Sequence, residues 1–248
     1  MKILNKSNSF RRGILLYRKM RYSGGHGVHS PFVYSLISKV INVKCAFYCQ
    51  SDIERIRKEA VCGNDARLTA IARKESITPK CGALLLRLAN FFKPERILQM
   101  GSGAGISTLY LSSYSKNTKC TVIERSEEAA FLAKSIIEKH NNNSINIIVG
   151  EYREELPEVL SRSSAFDFIF LNMENSSDDN DYAFRQCLPK VEESSVMIIN
   201  GIKKSKGMRS FWKTVTENPA TTVTIDLYFM GLVFFNKKLH KRNYTVYF

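Results

Sequence analysis

The chain has 248 residues, of which 44% are hydrophobic, and it carries a formal net charge of +14 at pH 7. This length suits one α/β domain with an N-terminal extension, and because no apolar run reaches about 18 residues, no transmembrane helix is expected. The first ten residues lack a signal-peptide core, and the six scattered cysteines form no Cys-x-x-Cys pair, so we expect free thiols in the cytoplasm.

The first elements are predicted to be helices. Residues 10–22 combine basic and apolar side chains and indicate a basic amphipathic helix that a glycine pair ends. Such a helix can lie on a membrane, but packing on the domain or on a second subunit, as in a homodimer, is favoured. Ser30 and Pro31 predict the N-cap and the first residue of the next helix.

Two of the four histidines, His26 and His29, lie three residues apart in the turn before that helix. Such a pair can bind a metal or act as a base. For a metal, a simple capping turn is the better interpretation, since no cysteine or carboxylate is close in sequence. A role for the pair over an active site stays open.

A charged helical segment follows over residues 50–74, and then a helix predicted to begin at Thr78-Pro79 and to end at Phe92. The leucines of this second helix recur at helical spacing and give it one apolar face. Pro94 then leads into the first predicted strand.

The centre of the sequence is a strand, a glycine turn and a helix. The predicted strand Arg96–Met100 leads into Gly101-Ser-Gly-Ala-Gly105, after which apolar residues resume at helical spacing. Glycine is needed where backbone approaches a ligand or takes positive φ. The next strand, Lys119–Glu124, ends in an acid of the kind that holds a ribose. The glycines alone fit an ordinary βα turn, but the whole unit favours nucleotide binding.

The motif excludes two other nucleotide sites. Gly-Lys-Ser/Thr, which a P-loop requires, is absent, and the spacing is Gly-x-Gly-x-Gly rather than Gly-x-Gly-x-x-Gly. The turn, with Glu124 on the second strand, resembles the class I S-adenosylmethionine (SAM)-dependent methyltransferases. The segment His26-Gly-Val-His-Ser-Pro-Phe32, ahead of such a core, is similar to bacterial class I proteins related to the O-methyltransferases.

The resemblance implies a SAM-dependent methyltransferase with SAM as cofactor and a small-molecule acceptor. It implies that residues 1–77 form a helical cap and that residues 78–248 form the SAM-binding domain. The implied cofactor-binding residues are Gln99, Gly101, Ser102, Gly103, Gly105, Glu124, Glu151, Tyr152 and Asn172. The candidates for a catalytic role are His26, His29 and Asn172.

The rest of the chain predicts five βα units closed by a hairpin. Further strands are predicted at 145–149, 166–172, 195–200, 221–226 and 231–235, with an acidic loop over 174–181. The last two strands are too close for a helical crossover and must be antiparallel. We therefore expect a Rossmann-like α/β fold with a seven-stranded, mostly parallel sheet and an antiparallel last strand, whereas an NAD fold would repeat parallel units.

Polar residues at three strand ends bear on the chemistry. Metal-dependent O-methyltransferases carry carboxylates where this chain has Asn172 and Asn200, and two neutral amides compensate a divalent cation poorly. The sequence therefore predicts weak or no metal binding. Gln99 stands where many relatives have an acid, so attraction to the cofactor's ammonium is reduced.

Two alternatives to an active small-molecule enzyme remain. The amides are also compatible with a degenerate protein that binds SAM or a partner without turnover. The net charge resides in the ends: residues 1–30 hold seven Lys/Arg and no acid, and residues 203–248 hold nine against two acids, 7 + (9 − 2) = +14. Basic ends suit an RNA methyltransferase or RNA-binding module, but a solvated surface is favoured, because no nucleic-acid motif accompanies them.

Overall fold

The computed structural model describes the chain except residues 1, 26, 45, 140–143, 164 and 174–175, and for residues 2–10 it describes the backbone only. The helices are α1 Lys2–Tyr22, α2 Pro31–Leu36, α3 Tyr48–Val61, α4 Ala66–Glu75, α5 Pro79–Phe92, α6 Ile106–Ser112, α7 Glu127–Glu138, α8 Tyr152–Arg162, α9 Ser177–Cys187 and α10 Lys206–Glu217. The strands are β1 Arg96–Met100, β2 Lys119–Glu124, β3 Ile145–Val149, β4 Phe168–Leu171, β5 Val196–Asn200, β6 Val223–Asp226, β7 Met230–Phe234 and β8 Arg242–Thr245.

Within the described residues the strands form one eight-stranded sheet in the order β3-β2-β1-β4-β5-β7-β6-β8. The first five strands of this order pair in parallel, and β7 is antiparallel to both β5 and β6. This sheet confirms the predicted Rossmann-like α/β fold and its antiparallel hairpin. The strand order reverses between β1 and β4, and in open α/β sheets ligands bind at such a switch point.

The predicted strand count was one too low. The additional strand, β8, pairs in parallel with β6 and forms an edge of the sheet. Its sequence, Arg-Asn-Tyr-Thr, is short and polar, so it carries no apolar alternation. The antiparallel strand is therefore β7, and it is not the last strand of the chain.

Helices cover both faces of the sheet. In β4 every side chain is buried: Phe168 and Phe170 face one hydrophobic core, and Ile169 and Leu171 face the other. Helices α2, α3, α5 and α6 contribute to the first core, and helices α8, α9 and α10 contribute to the second. The continuous apolar run of β4 therefore has its expected cause, a strand covered on both faces.

Several predicted segments have different boundaries in the structure, and α1, for example, begins at Lys2 rather than at residue 10. The charged segment 50–74 is divided into α3 and α4, and α4 begins after Asp65, whose carboxylate accepts from the backbone N–H groups of Arg67 and Leu68. The predicted acidic loop is partly helical, because α9 begins at Ser177. The Ser176 hydroxyl accepts from the Asp179 N–H, and acids in a first turn stabilise the positive end of a helix.

Helix α1 is tied to the far edge of the sheet. The Arg18 guanidinium donates to the Asp226 carboxylate at 2.9 Å and to the Val246 carbonyl at 3.1 Å. The Tyr247 N–H donates to the Tyr22 carbonyl at 3.1 Å. Within the described residues, α1 thus packs on the domain, and no helix is both long and apolar enough to cross a bilayer.

Candidate active site

The glycine turn is a run of left-handed backbone between β1 and α6. Gly101, Gly103, Ala104 and Gly105 have φ of 84°, 56°, 54° and 79°. A Cβ on Gly105 would lie 3.0 Å from the Cα of Ala133 in α7. Glycine is therefore required at this position by both conformation and packing, which brings the turn against α7.

The acid at the end of β2 lies against this turn. One oxygen of Glu124, Oε2, accepts from the Ser102 N–H and from the Ser102 hydroxyl, each at 2.7 Å. The other oxygen, Oε1, accepts from the Ser126 N–H at 2.9 Å. The side chain is buried yet borders a cavity, so three donors fix the carboxylate at the cavity wall.

The cavity lies over the carboxyl ends of β1, β2 and β4, at the switch point of the sheet. Its volume is about 260 Å³. The residues that line it are Lys74, Glu75, Gly101, Gly103, Glu124, Arg125, Ser126, Tyr152, Asn172, Met173, Ser176 and Asp179. The crevice between the turn and the acid is therefore open rather than filled by side chains.

Gln99 is enclosed beneath the turn. Its amide nitrogen donates to the Gly101 carbonyl at 2.7 Å and to the Ser107 hydroxyl at 2.9 Å, and its amide oxygen accepts from the Thr108 hydroxyl at 3.1 Å. The residue is fully buried and does not line the cavity. Its visible role is to hold the turn on the first residues of α6.

Two amides meet at the ends of β4 and β5. The Asn200 Nδ2 donates to the Asn172 Oδ1 at 2.8 Å. The backbone of Asn172 is held by its N–H, which donates to the Met100 carbonyl at 2.8 Å. Asn172 therefore presents a fixed, uncharged side chain to the cavity.

The end of the cavity beyond β3 contains an aromatic ring and a cation. The Arg125 guanidinium lies 5.4 Å from the centre of the Tyr152 ring and 3.4 Å from an oxygen of Asp179. Burial and the negative charge of Glu124 raise the pKa of Tyr152 above its ordinary value. The phenol is therefore neutral at physiological pH.

The cavity wall also contains a half-buried acid from the N-terminal helices. Glu75 is the last residue of α4. Burial, followed by the charge of Glu124, raises the pKa of its carboxyl. Ionising Glu75 is therefore costly, although the charge of the neighbouring Lys74 offsets part of that cost.

The structure brings together five of the predicted site residues at the cavity, namely Gly101, Gly103, Glu124, Tyr152 and Asn172. The other cofactor-site predictions fall behind or beside it: Gln99, Ser102 and Gly105 support the turn, and Glu151 points outward, 3.9 Å from Arg125. The roles of these residues stay predictions.

The two histidines are not part of the cavity wall that the structure describes. His29 is exposed and does not border the cavity. His26 lies outside the described residues. Their suggested role as bases stays a prediction.

Several lining residues were not predicted. Arg125 and Ser126 directly follow the strand-ending acid, and Met173 directly follows Asn172. Their place in the sequence beside predicted site residues could therefore have indicated them. Lys74 and Glu75 carried none, because α4 reaches the cavity only through tertiary packing. Among the described residues, no group of three or more His, Cys, Asp or Glu is placed to hold a metal ion.

The sheet has the Rossmann-like fold of class I methyltransferases, with a strand order that reverses between β1 and β4. The left-handed glycine turn and the acid at the end of β2 border the open cavity of this fold. A family model described as a methyltransferase domain matches residues 98–202, which include the turn, Glu124 and Asn172.

Solved structures with this fold include O-methyltransferases. The O-methyltransferase from Bacillus cereus in complex with S-adenosylhomocysteine (SAH) is 20% identical, with a TM-score of 0.59 over 82% of this chain and 97% of that one. TomG from Streptomyces achromogenes, an O-methyltransferase in tomaymycin synthesis solved with SAM, is 18% identical, with a TM-score of 0.58 over 82% of this chain and 94% of that one.

One curated relative is of a different kind. Ribosomal RNA small subunit methyltransferase G from Mycoplasma capricolum is 29% identical over 85 residues, which are 32% of this chain and 37% of that protein. The chain therefore spans about a third of the length of this relative.

Proposed function

We propose that the protein is a SAM-dependent methyltransferase that acts on a small-molecule acceptor, in the manner of the O-methyltransferases. The observation that carries the proposal is the open cavity bounded by the glycine turn and by the fixed carboxylate of Glu124. The O-methyltransferases of the same fold that were solved with SAM or SAH support it. So does the methyltransferase-domain match over residues 98–202.

The residues present suit the cofactor. Glu124 Oε2 accepts twice from Ser102, whereas Oε1 accepts only from the Ser126 N–H, so Oε1 keeps one acceptor site for a ribose hydroxyl. The Tyr152 ring offers an aromatic surface for the adenine ring of the cofactor. Gly101 and Gly103 leave the turn without side chains beside the cavity.

The proposed chemistry is transfer of an activated methyl group, which SAM supplies when bound. What the protein must contribute is alignment of the acceptor, and alignment alone can supply about 7–11 kcal/mol. A hydroxyl acceptor would also have to lose its proton to a base. Asn172, at the cavity wall, can hydrogen-bond an acceptor but cannot take that proton at neutral pH.

The donor set at β4 and β5 suits a metal-independent reaction, or weak metal binding at most. The Asn172 oxygen is already used by Asn200, and two neutral amides offer a divalent cation no charge compensation. His26 and His29 stay candidate bases in this proposal, along with the cofactor-site assignments of Gln99, Ser102, Gly105 and Glu151.

The test is calorimetric titration of the purified chain with SAM and with SAH. We expect saturable binding of both and a thermal shift, because the cavity wall is already formed. The absence of heat and of any shift at millimolar ligand would refute the proposal. Glu138→Gln, an exposed substitution on α7, serves as the variant that should bind as the wild type does.

A degenerate protein that binds SAM without turnover is the first alternative, and the Asn172–Asn200 pair favours it. On this interpretation, changing both residues to Asp should create binding of Mg²⁺, measured by titration. Transfer that is stimulated by metal in the unmodified protein would rule the alternative out.

An RNA methyltransferase or RNA-binding module is the second alternative. The basic ends and the similarity to a ribosomal RNA methyltransferase favour it. It requires RNA binding that weakens steeply with salt. If RNA migrates unchanged at low salt in the presence of the protein, this alternative fails.

The proposal extends to the organisation of the chain. Residues 1–77 act as a cap on the SAM-binding domain 78–248, which is supported by Lys74 and Glu75 at the cavity wall. Free thiols at the described cysteines suit a cytoplasmic protein. A homodimer through exposed Leu16, Tyr17 and Met20 of α1 is tested by light scattering, where a monomer mass would exclude it.

A further inference from the structure

Three carboxylates line the cavity, and two of them are compensated by the chain itself. Glu124 accepts three hydrogen bonds from neighbouring serines. Asp179 lies 3.4 Å from the guanidinium of Arg125. For Glu75, the described part of the chain provides neither a hydrogen bond nor an ion pair to the carboxylate.

A half-buried carboxylate without a partner, beside a second carboxylate, is in an unfavourable environment. Burial and the charge of Glu124 accordingly raise its pKa, and the opposing effect of the neighbouring Lys74 is smaller. The backbone adds to the negative potential, because Glu75 is the last residue of α4 and a helix ends in unpaired carbonyls. This part of the cavity wall therefore favours a cation.

The position of Glu75 indicates which part of a ligand it meets. The sheet order is β3-β2-β1-β4, and Glu124 at the end of β2 marks the place of a sugar. The Tyr152 ring, which follows β3 and lies 5.4 Å from the Arg125 guanidinium, is on one side of that place, and its hydroxyl reaches the turn, 3.6 Å from where a Cβ on Gly101 would lie. Gly103, which follows β1, lies on the other side, and a Cβ added to this glycine would lie 3.4 Å from the Glu75 carbonyl oxygen.

An aromatic ring suits a nucleobase, so the opposite side is left for the amino-acid end of the cofactor. That end carries an α-ammonium group. Gln99 cannot compensate this charge, because it is neutral, fully buried and hydrogen-bonded within the turn. Glu75 is the free carboxylate on that side among the residues that the structure describes.

We propose that Glu75, contributed by the N-terminal helices, binds the α-ammonium group of SAM. This inference rests on the proposed function, since it requires that the cavity accept the cofactor. It assigns to α4 a direct contact with the cofactor's ammonium group, which Gln99 on β1 cannot make.

The experiment is calorimetric titration of wild-type protein and Glu75→Gln with three ligands. SAM and SAH both carry the ammonium group, whereas 5′-methylthioadenosine keeps the base and sugar and lacks the amino acid. We expect the substitution to weaken SAM and SAH by about 10- to 100-fold, the range for hydrogen bonds to charged groups. Affinity for 5′-methylthioadenosine should be unchanged.

Each other outcome overturns the inference in a distinguishable way. Equal loss for all three ligands would mean that Glu75 only shapes the cavity. Loss for SAM alone would mean that it meets the sulfonium, which SAH lacks. If wild-type protein binds SAH and the variant binds it equally well, the inference fails while the proposed function stands. If wild-type protein binds none of the three, both fail.

Thermal unfolding of the ligand-free proteins separates binding from folding. A residue with a structural role would destabilise the fold when changed. Glu75→Gln should instead unfold at the same temperature as wild type or higher, because it removes repulsion from Glu124. Glu138→Gln, the same chemical change at an exposed position of α7, should alter neither the unfolding temperature nor any of the three affinities.

Discussion

Replacing Glu124 by Gln tests the link between the glycine turn and the end of β2. The carboxylate accepts from three donors through two oxygens, which lie 2.7 Å from Ser102 N, 2.7 Å from Ser102 Oγ and 2.9 Å from Ser126 N. A glutamine has one acceptor oxygen, and its NH₂ group can only donate. One of the two backbone N–H groups would therefore face another donor.

The decrease in the free energy of unfolding can be estimated from the loss of that acceptor. A buried group left unpaired costs about 1–3 kcal/mol, so we expect Glu124→Gln to lower the free energy of unfolding by about 2 kcal/mol. In a chain of this size about 1 kcal/mol shifts the melting temperature by about 2–4 °C, which predicts a decrease of about 4–8 °C. The attachment of Ser102 to the end of β2 should weaken with it.

Differential scanning calorimetry measures the decrease, and titration with SAH measures the effect on binding. Binding should weaken by at least about 10-fold, because the substituted side chain offers the ribose fewer acceptors. Glu138→Gln is the matched control. Unchanged melting and unchanged SAH affinity in Glu124→Gln would refute both the proposed hydrogen-bond role and the ribose assignment.

Two further predictions concern the N-terminal helices. Arg18→Met should lower the free energy of unfolding by about 2 kcal/mol, because it removes one of the cationic partners of the poorly exposed Asp226. Urea unfolding measures this decrease, and Arg12→Met, at an exposed position, is the control. Equal unfolding midpoints for the two variants would contradict the prediction. Glu75 predicts a pH dependence: since its pKa is raised in the folded state by burial and by Glu124, the protonated form stabilises the fold at low pH, and this contribution is lost as pH rises through the raised pKa. Glu75→Gln should therefore gain stability relative to wild type as pH increases from 4.5 to 8, and a difference that does not change with pH would count against the raised pKa.

The elements that were predictable from sequence are those with local causes. The glycine turn requires positive φ, and Gly101, Gly103 and Gly105 indicate such a turn in the sequence. The N-caps at Ser30 and Thr78, each followed by proline, begin helices where expected. Glu124 and Asn172 were found because Glu124 is the last residue of β2 and Asn172 directly follows β4, and parallel strands bring such ends to one edge.

The elements that were missed depend on contacts between distant segments. Strand β8 forms because β6 offers an unpaired edge, and its own residues carry no strand pattern. Helix α9 begins within an acidic stretch because Ser176 caps it, which outweighs the loop-like composition. Glu75 reaches the cavity because α4 packs on the glycine turn, and nothing in the sequence around Glu75 records that packing.

The amide pair at the ends of β4 and β5 fits a site that keeps its shape without a cation. The Asn200 amide donates to Asn172 at 2.8 Å, so each side chain holds the other. Two carboxylates at the same distance would repel one another, and one would have to take up a proton or share a metal. The substitution of both expected acids by amides therefore removes the need for charge compensation at the ends of β4 and β5, while Glu75 and Glu124 remain as acidic residues of the cavity wall. This distribution of charge suits a positively charged cofactor. It also suits a methyl acceptor that the protein aligns, rather than one that a metal ion activates.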